Sequence, residues 1–231
     1  MPTLTYFGHS AIQLEEGKFT LLIDPYLAGN PVSPIKPGEI SKVDFILVTH
    51  GHSDHMGDTV ALARRHNATV IATWELTRYF EKKGVKAHPM SAGGGHDFPF
   101  GRVKMTLAFH GCGSDPDGDG EVPPPNTPVG FVVTLGKKNL YHAGDTALFS
   151  DMKLIGEKTP IHVACLPIGD NFTMGIEDAA RAMEFLNAER CVPIHYNTFD
   201  IIKADTKAFA FKVEKLGKKC TVLQPGEGFS Y

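Results

Sequence analysis

At 231 residues the chain is long enough to build a core without disulfide staples, and it has the length of one large domain spanning 1–231. Its 42% hydrophobic and 21% charged residues are globular averages, and a net charge of −3 with no Lys/Arg run gives no strong nucleic-acid footprint. The N-terminal "MPTLTYFGHS" has no basic segment followed by a long apolar one, so neither a signal peptide nor a membrane span is expected.

In chain order, "TLTYF", "AIQLE" and "FTLLID" read as short strands of a meander, separated by Gly-containing turns. A Pro-rich stretch covers 25–37. "DFILVT" is a continuous apolar run, as a strand buried on both faces would be. "DTVALARRH" predicts a helix with Asp58 at its N-cap; "ATVIAT" is a strand and "WELTRYFEKKG" a helix ending at Gly84. "RVKMTLAF" alternates like a half-buried strand, and "PVGFVVTLGKKNLYHAG" reads as two strands turning at 136–139. "IHVACLPI" is another buried strand. In "GIEDAARAMEFLNAE", Ile176, Ala179, Ala180, Met183, Phe185 and Leu186 fall near one helical face. "CVPIH" is a strand, "TKAFAFKVEKLG" a helix, and "CTVLQPGEGFSY" a last strand and tail. Strands first in a block and then alternating with helices favour sheets in the middle and helices outside.

The four cysteines are far apart and form no C-x-x-C pair. Cys165 and Cys191 read as small apolar strand residues, and a reduced, cytoplasmic protein is the simplest account. Cys112 stands apart, two residues after His110.

The chemistry concentrates in "THGHSDHMGD". His50 and His52 follow an apolar run, and in extended chain residues two apart point the same way, so both imidazoles can reach one cation. Asp54 and His55 follow in the turn and can face a second. Nitrogen and oxygen donors of this kind suit zinc and its neighbours. Capping a helix needs one polar side chain, not four. One loop cannot close a metal site, and three later apolar runs each end in a further donor: His110 after "MTLAF", Asp145 after "NLYHAG" and His195 after "CVPI". Ligands at successive strand ends suggest convergence on one edge of a sandwich.

"GHSA", "THGHSDHMGD", "HAGDTALFSDM", "LPIGDNFTMG" and "VPIHYNTF" together resemble the metallo-β-lactamase superfamily. Within it they look like the UPF0173 metal-dependent hydrolases, with ascorbate-6-phosphate lactonase-like enzymes as relatives. The resemblance covers nearly the whole chain. It implies an α+β fold: a four-layer αβ/βα sandwich of two mixed β-sheets flanked by helices. It also implies two divalent ions per chain, with His50, His52 and His110 on one, Asp54, His55 and His195 on the other, and Asp145 bridging. Zinc is the expected ion; manganese, iron and nickel are compatible with the same donors. A hydroxide held between the cations would attack an ester, lactone or phosphoester-type small substrate, with Asp54 assisting proton transfer. Flavodiiron oxidoreductases carry Glu where His52 stands here, which points away from redox diiron chemistry.

Asp24, ending "LLID", is a candidate to orient a ligand histidine; a turn aspartate before Pro25 is the alternative. His9, between two early strands, is expected either near the metals or substrate or as a hydrogen-bonded core histidine. His142 is expected to pack or support. Asn171 and Thr173 are candidates for substrate contact and Met174 for the pocket wall, although Thr173 would serve equally as a helix N-cap. "DPDGDGEVPPPN" imitates a calcium loop through Asp115, Asp117 and Asp119, but Asn126 stands where the bidentate Glu is required. A turn-rich loop over 111–128 that could act as a lid is the better reading. Rival readings are a phosphodiesterase or nuclease of the same fold, and a metal-binding sensor without turnover. A homo-oligomer is compatible with everything above.

Overall fold

The computed structural model describes residues 1–113 and 120–231. Fourteen strands and six α-helices lie among them. The first half of the chain runs β1 (Thr3–Tyr6), β2 (Ile12–Glu16), β3 (Phe19–Ile23), β4 (Phe45–Leu47), α1 (Ser53–Met56), α2 (Thr59–His66), β5 (Thr69–Thr73), α3 (Trp74–Lys82) and β6 (Lys86–Met90). The second half runs β7 (Gly95–Phe98), β8 (Gly101–Leu107), β9 (Val129–Leu135), β10 (Lys138–His142), α4 (Met152–Lys158), β11 (Val163–Pro167), α5 (Ile176–Leu186), β12 (Arg190–Ile194), α6 (Thr206–Lys215), β13 (Lys219–Cys220) and β14 (Gly228–Ser230).

The strands make two seven-stranded sheets, ordered β14-β1-β2-β3-β4-β5-β6 and β13-β12-β11-β10-β9-β8-β7. Both are mixed. The β1-β2-β3 meander is antiparallel, whereas β3 to β6 are parallel. In the second sheet β7 to β10 are antiparallel neighbours and β10 to β13 parallel.

Side-chain alternation along the strands builds the layers. Leu21, Ile23, Leu47 and Ile71 of the first sheet meet Phe131, Val133, Val163 and Val192 of the second in a buried layer between them. The intervening Leu22, Ile46 and Val70 face outward, against Leu62, Leu76 and Phe80 of α2 and α3. Ala164, Leu166 and Cys191 face outward from the second sheet, against Met152, Ala179, Met183 and Phe209 of α4, α5 and α6. This is the αβ/βα sandwich the sequence implied. Helix α5 buries Ala179, Ala182, Met183 and Leu186, the i, i+3, i+4, i+7 stripe of a helix lying on a sheet. Asp205 caps α6 by accepting from the Lys207 and Ala208 amides at 2.9 and 3.0 Å.

Some local expectations change. The C-terminal segment is two strands in different sheets: β13 extends the second and β14 the edge of the first. Helix α5 starts from Gly175, so Thr173 is not its N-cap. Asp58 is the N-cap residue of α2 as expected, but its carboxylate makes no cap bond and instead accepts from the Leu27 and Ala28 amides at 2.9 and 2.8 Å, pinning the loop after β3. The imitation calcium loop at Asp115, Asp117 and Asp119 lies outside the described residues, as does that part of the expected lid.

Topology places the site. Strands β1, β3 and β4 run the same way in the first sheet, and β8, β10 and β12 the same way in the second. His9, Asp24 and His50 follow the first three; His110, Asp145 and His195 follow the others.

Candidate metal centre

The seven donors meet. His50, His52 and His110 each offer one atom within 4.8 Å of the others, as do Asp54, His55 and His195 together with His9. His50, His55 and Asp145 form a third such group that joins the first two. Asp145 Oδ2 lies 3.6 Å from His110 Nε2 and 3.0 Å from His195 Nε2, and its Oδ1 lies 3.3 Å from His55 Nε2. One carboxylate therefore touches histidines of both sets.

The chain is forced locally to present these groups. His195 has φ 52°, a left-handed conformation that a non-glycine residue adopts only where its surroundings fix it. Its amide donates to the His9 carbonyl at 2.7 Å. His9 and Asp24 are also left-handed, at φ 56° and 47°. Gly144, one residue before Asp145, has φ +63°, and a Cβ there would sit 2.7 Å from the Val129 carbonyl oxygen.

Asp24 is fully buried and accepts three hydrogen bonds. Oδ1 takes the Thr49 amide at 2.8 Å; Oδ2 takes the Thr49 hydroxyl at 2.7 Å and His55 Nδ1–H at 2.8 Å. A carboxylate only accepts, so His55 carries its proton on Nδ1 and, when neutral, turns a lone pair on Nε2 inward. Thr49 has one hydroxyl hydrogen, already given to Asp24. His50 Nδ1, 3.0 Å from Thr49 Oγ1, must then donate, which turns His50 Nε2 inward too. Asp24 thus fixes a histidine in each set.

His9 has a different task. Nε2 donates to Asp54 Oδ2 at 2.9 Å, and Nδ1 lies 2.9 Å from Thr198 Oγ1, which donates to it. Both ring nitrogens are engaged, so His9 orients Asp54. His142 is fully buried and braces the same loop: Nε2 donates to the Ser10 carbonyl at 3.0 Å and Nδ1 accepts the Gly144 amide at 3.2 Å.

The electrostatics fit a cation. His55 Nε2, His195 Nε2 and Asp145 Oδ1 are buried, and although they face one another or the other Asp145 oxygen at 3.0–3.3 Å, none makes a well-aligned hydrogen bond among the described residues. Such orphans are costly unless something else satisfies them. Burial would lower His55, but Asp145, Asp54 and Asp24 hold it well above the usual imidazole range. Burial opposes the proton on His195 as well, yet Asp145 and Asp54 lift it to about 9. Burial would raise Asp54 and Asp145; neighbouring histidines hold both below the usual carboxylate range. Without a metal, protons on His55 and His195 neutralise the acids. His50 and His110 are lowered, chiefly by burial, and stay free to donate lone pairs. Neutral imidazoles facing ionised carboxylates are the donor set of a divalent ion such as zinc.

The family described as "Beta-lactamase superfamily domain" matches residues 20–196, which hold all seven donors and Asp24. The chain belongs to this superfamily. Within it, a UPF0173 metal-dependent hydrolase of Geobacillus sp. (strain WCH70) is 52% identical over 97% of this chain and 98% of its own. Another, from Bacillus thuringiensis subsp. konkukian (strain 97-27), is 50% identical over 98% and 99%. Among solved structures, Igni18, a metallo hydrolase from Ignicoccus hospitalis, superposes with a TM-score of 0.89 at 36% identity, covering 100% of this chain and 99% of that one. The chain is a metal-dependent hydrolase of the UPF0173 group.

The remaining sequence candidates lie at the margin. Asn171 is exposed on the loop after β11, and the Thr173 hydroxyl turns back to the Met174 carbonyl at 3.4 Å. Met174 is 1% exposed within the apolar layer under α5, so it belongs to that core rather than to a pocket wall. Its amide donates to the Thr146 carbonyl at 3.0 Å, which ties this loop to the residue after Asp145. Sequence reasoning missed Thr49 and Thr198. Thr49 stands immediately before His50, a place from which a hydroxyl can reach the first ligand ring; nothing in the sequence singles out Thr198.

Proposed function

We propose that this UPF0173 hydrolase holds two divalent cations, zinc by preference, and uses them to hydrolyse a small ester, lactone or phosphoester. The observation that carries the reading is the Asp145 carboxylate, within 3.6 Å of His110 on one side and 3.0 Å of His195 on the other. His50, His52 and His110 would hold one ion, Asp54, His55 and His195 the second, and Asp145 both. When bound, such a pair supplies Lewis acidity and a water acidic enough to react near neutral pH.

The chain's own groups do the rest. Asp24 fixes His55 directly and His50 through Thr49, so two rings are held before any ligand arrives. His9 fixes Asp54, whose side chain is 28% exposed against 3% for Asp145. We therefore assign proton transfer to Asp54, the acid that solvent and substrate can reach. Asn171 and Thr173 remain our candidates for contact with the substrate. Free cysteines at Cys112, Cys165, Cys191 and Cys220 support a reducing, cytoplasmic setting. Among the described residues no helix is long and apolar enough to cross a membrane.

The reading is tested by chelating the protein, reloading it with zinc or manganese, and assaying an aryl ester, a lactone and bis-p-nitrophenyl phosphate. Turnover that vanishes on chelation and returns on reloading supports it. Undiminished turnover in the chelated protein contradicts it.

A further inference from the structure

Binding at this edge depends on which charges surround the cations. The described segments leaving the site-facing strand ends are 7–11, 24–36, 48–58, 91–94, 108–113, 120–128, 143–151, 168–175, 195–205 and 221–227. Across all of them the sequence has only Lys36 and Lys203 as Lys or Arg. Lys203 pairs with Asp200 at 2.8 Å, and Lys36 donates to the Ala28 carbonyl at 3.4 Å. Helix α3 leaves β5 directly; Arg78, its one arginine, pairs with Glu81 at 2.6 Å and lies over the Trp74 ring. Acids stand in the same segments: Asp58, Asp151, Asp170 and Asp205, besides the candidate ligand Asp54, whereas Glu121 pairs with Lys83 at 3.1 Å.

The same edge exposes large apolar side chains. Phe109, Phe172, Phe199 and Ile201 are 58%, 54%, 39% and 59% exposed. One touches the centre's own residues, and Phe109 packs instead against Phe149 at 5.1 Å. The Phe199 ring lies 5.7 Å from the ring of His9, which holds Asp54, and Phe109 immediately precedes His110. The Tyr26 ring also lies 5.8 Å from that of His9.

From this pairing of acidic loops with exposed aromatic rings we infer that the substrate is an uncharged carboxylic ester or lactone carrying an apolar, ring-sized group, and not a phosphoester. This rests on the hydrolytic reading above. A phosphate monoester or nucleic acid would bring negative charge to a rim whose described residues offer no unpaired arginine fork to receive it. A neutral acyl group meets no such repulsion, and its apolar substituent covers Phe199 and its neighbours. In the reaction the water oxygen bonds to the acyl carbon and the acyl–oxygen bond breaks. The alkoxide takes a proton, giving an alcohol and a carboxylate, with one net proton released to solvent. The carboxylate product is then repelled by the acids around it, which favours its departure.

The test uses zinc-loaded full-length protein with γ-butyrolactone, its γ-phenyl derivative, p-nitrophenyl phosphate and bis-p-nitrophenyl phosphate. The phenyl lactone is expected to exceed the unsubstituted lactone in kcat/KM by about tenfold or more, mostly through KM, with the phosphoesters slower still. In Phe199→Ala, and separately in Phe172→Ala, that ratio should shrink toward unity. Preference for either phosphoester overturns the inference and leaves the hydrolase intact. So does a phenyl advantage that both variants retain, or variants that change only the sedimentation of the protein, which would make the apolar rim a contact between copies. Failure of the metal-loaded protein to turn over any of the four overturns the hydrolytic reading itself, and the inference with it.

Discussion

Asp24 Oδ2 accepts the Nδ1 proton of His55 at 2.8 Å and the hydroxyl of Thr49 at 2.7 Å, so one buried oxygen governs histidines of both donor sets. Replacing Asp24 with Asn keeps the volume but removes the charge and one of the acceptors. We expect Asp24→Asn to weaken metal binding about 10–100-fold, the usual cost of losing a partner behind a ligand histidine. Chelator competition measures it; an affinity within error of the parent protein would show that Asp24 does not orient the ligands. Asp24→Ala, which strands Thr49 and His55, should also destabilise the fold by about 3–5 kcal/mol.

His52→Ala and Asp145→Ala separate the centre's parts. His52 belongs to one donor set, whereas Asp145 touches both. Each substitution should abolish turnover, and Asp145→Ala should lose more metal than His52→Ala. Elemental analysis alongside the assay checks this. Activity surviving in either variant would contradict the mechanism.

Loading the centre should expel protons. In the metal-free protein His195 titrates at about 9 instead of 6.5, and His55 is raised as well, each held by the acids that a cation would also neutralise. A raised histidine stabilises the folded metal-free protein fully below pH 6.5, and that contribution is lost as pH rises through about 9. Metal-free protein should therefore lose stability between those values, with the metal-loaded form much less affected. Calorimetric metal titrations at pH 7.5 in buffers of different ionisation enthalpy should show net proton release. Binding enthalpies that do not depend on the buffer would refute it.

Much of this centre was legible because ligand chemistry sits at strand ends, where apolar runs stop. His110, Asp145 and His195 each close such a run. The supporting contacts were not legible, since Thr198 and Ser10 reach His9 and His142 only through the fold, across 189 and 132 residues of chain. Asp24 was found because it also ends an apolar strand. Secondary structure failed where elements are too short to show a period. β13 and β14 have two and three residues, and their assignment to opposite sheets is decided by neighbours. Helix α4 was missed because Met152–Lys158 is seven residues with Gly156 inside. Met174 looked like a pocket residue because its loop follows a buried strand, whereas the fold turns its side chain into the layer under α5.

Gly169 sets the position of His195. A Cβ there would fall 2.3 Å from the His195 carbonyl oxygen and 2.9 Å from Ile202 Cβ. Gly169→Ala should therefore displace the left-handed His195, costing about 1–3 kcal/mol of stability by overpacking. Metal held by the Asp54, His55 and His195 set should fall with it. Thermal unfolding of the metal-free and reloaded variant measures both effects, and a variant that matches the parent in both would rule out this packing role.

The central claim is that seven side chains hold a pair of cations that act together. Its most direct measurement is the number of zinc or manganese ions per chain in freshly purified protein, followed against activity as metal is returned to the chelated enzyme. The account predicts two ions per chain at full activity, with turnover appearing as the second ion binds. Full activity with one tightly held ion per chain would contradict it.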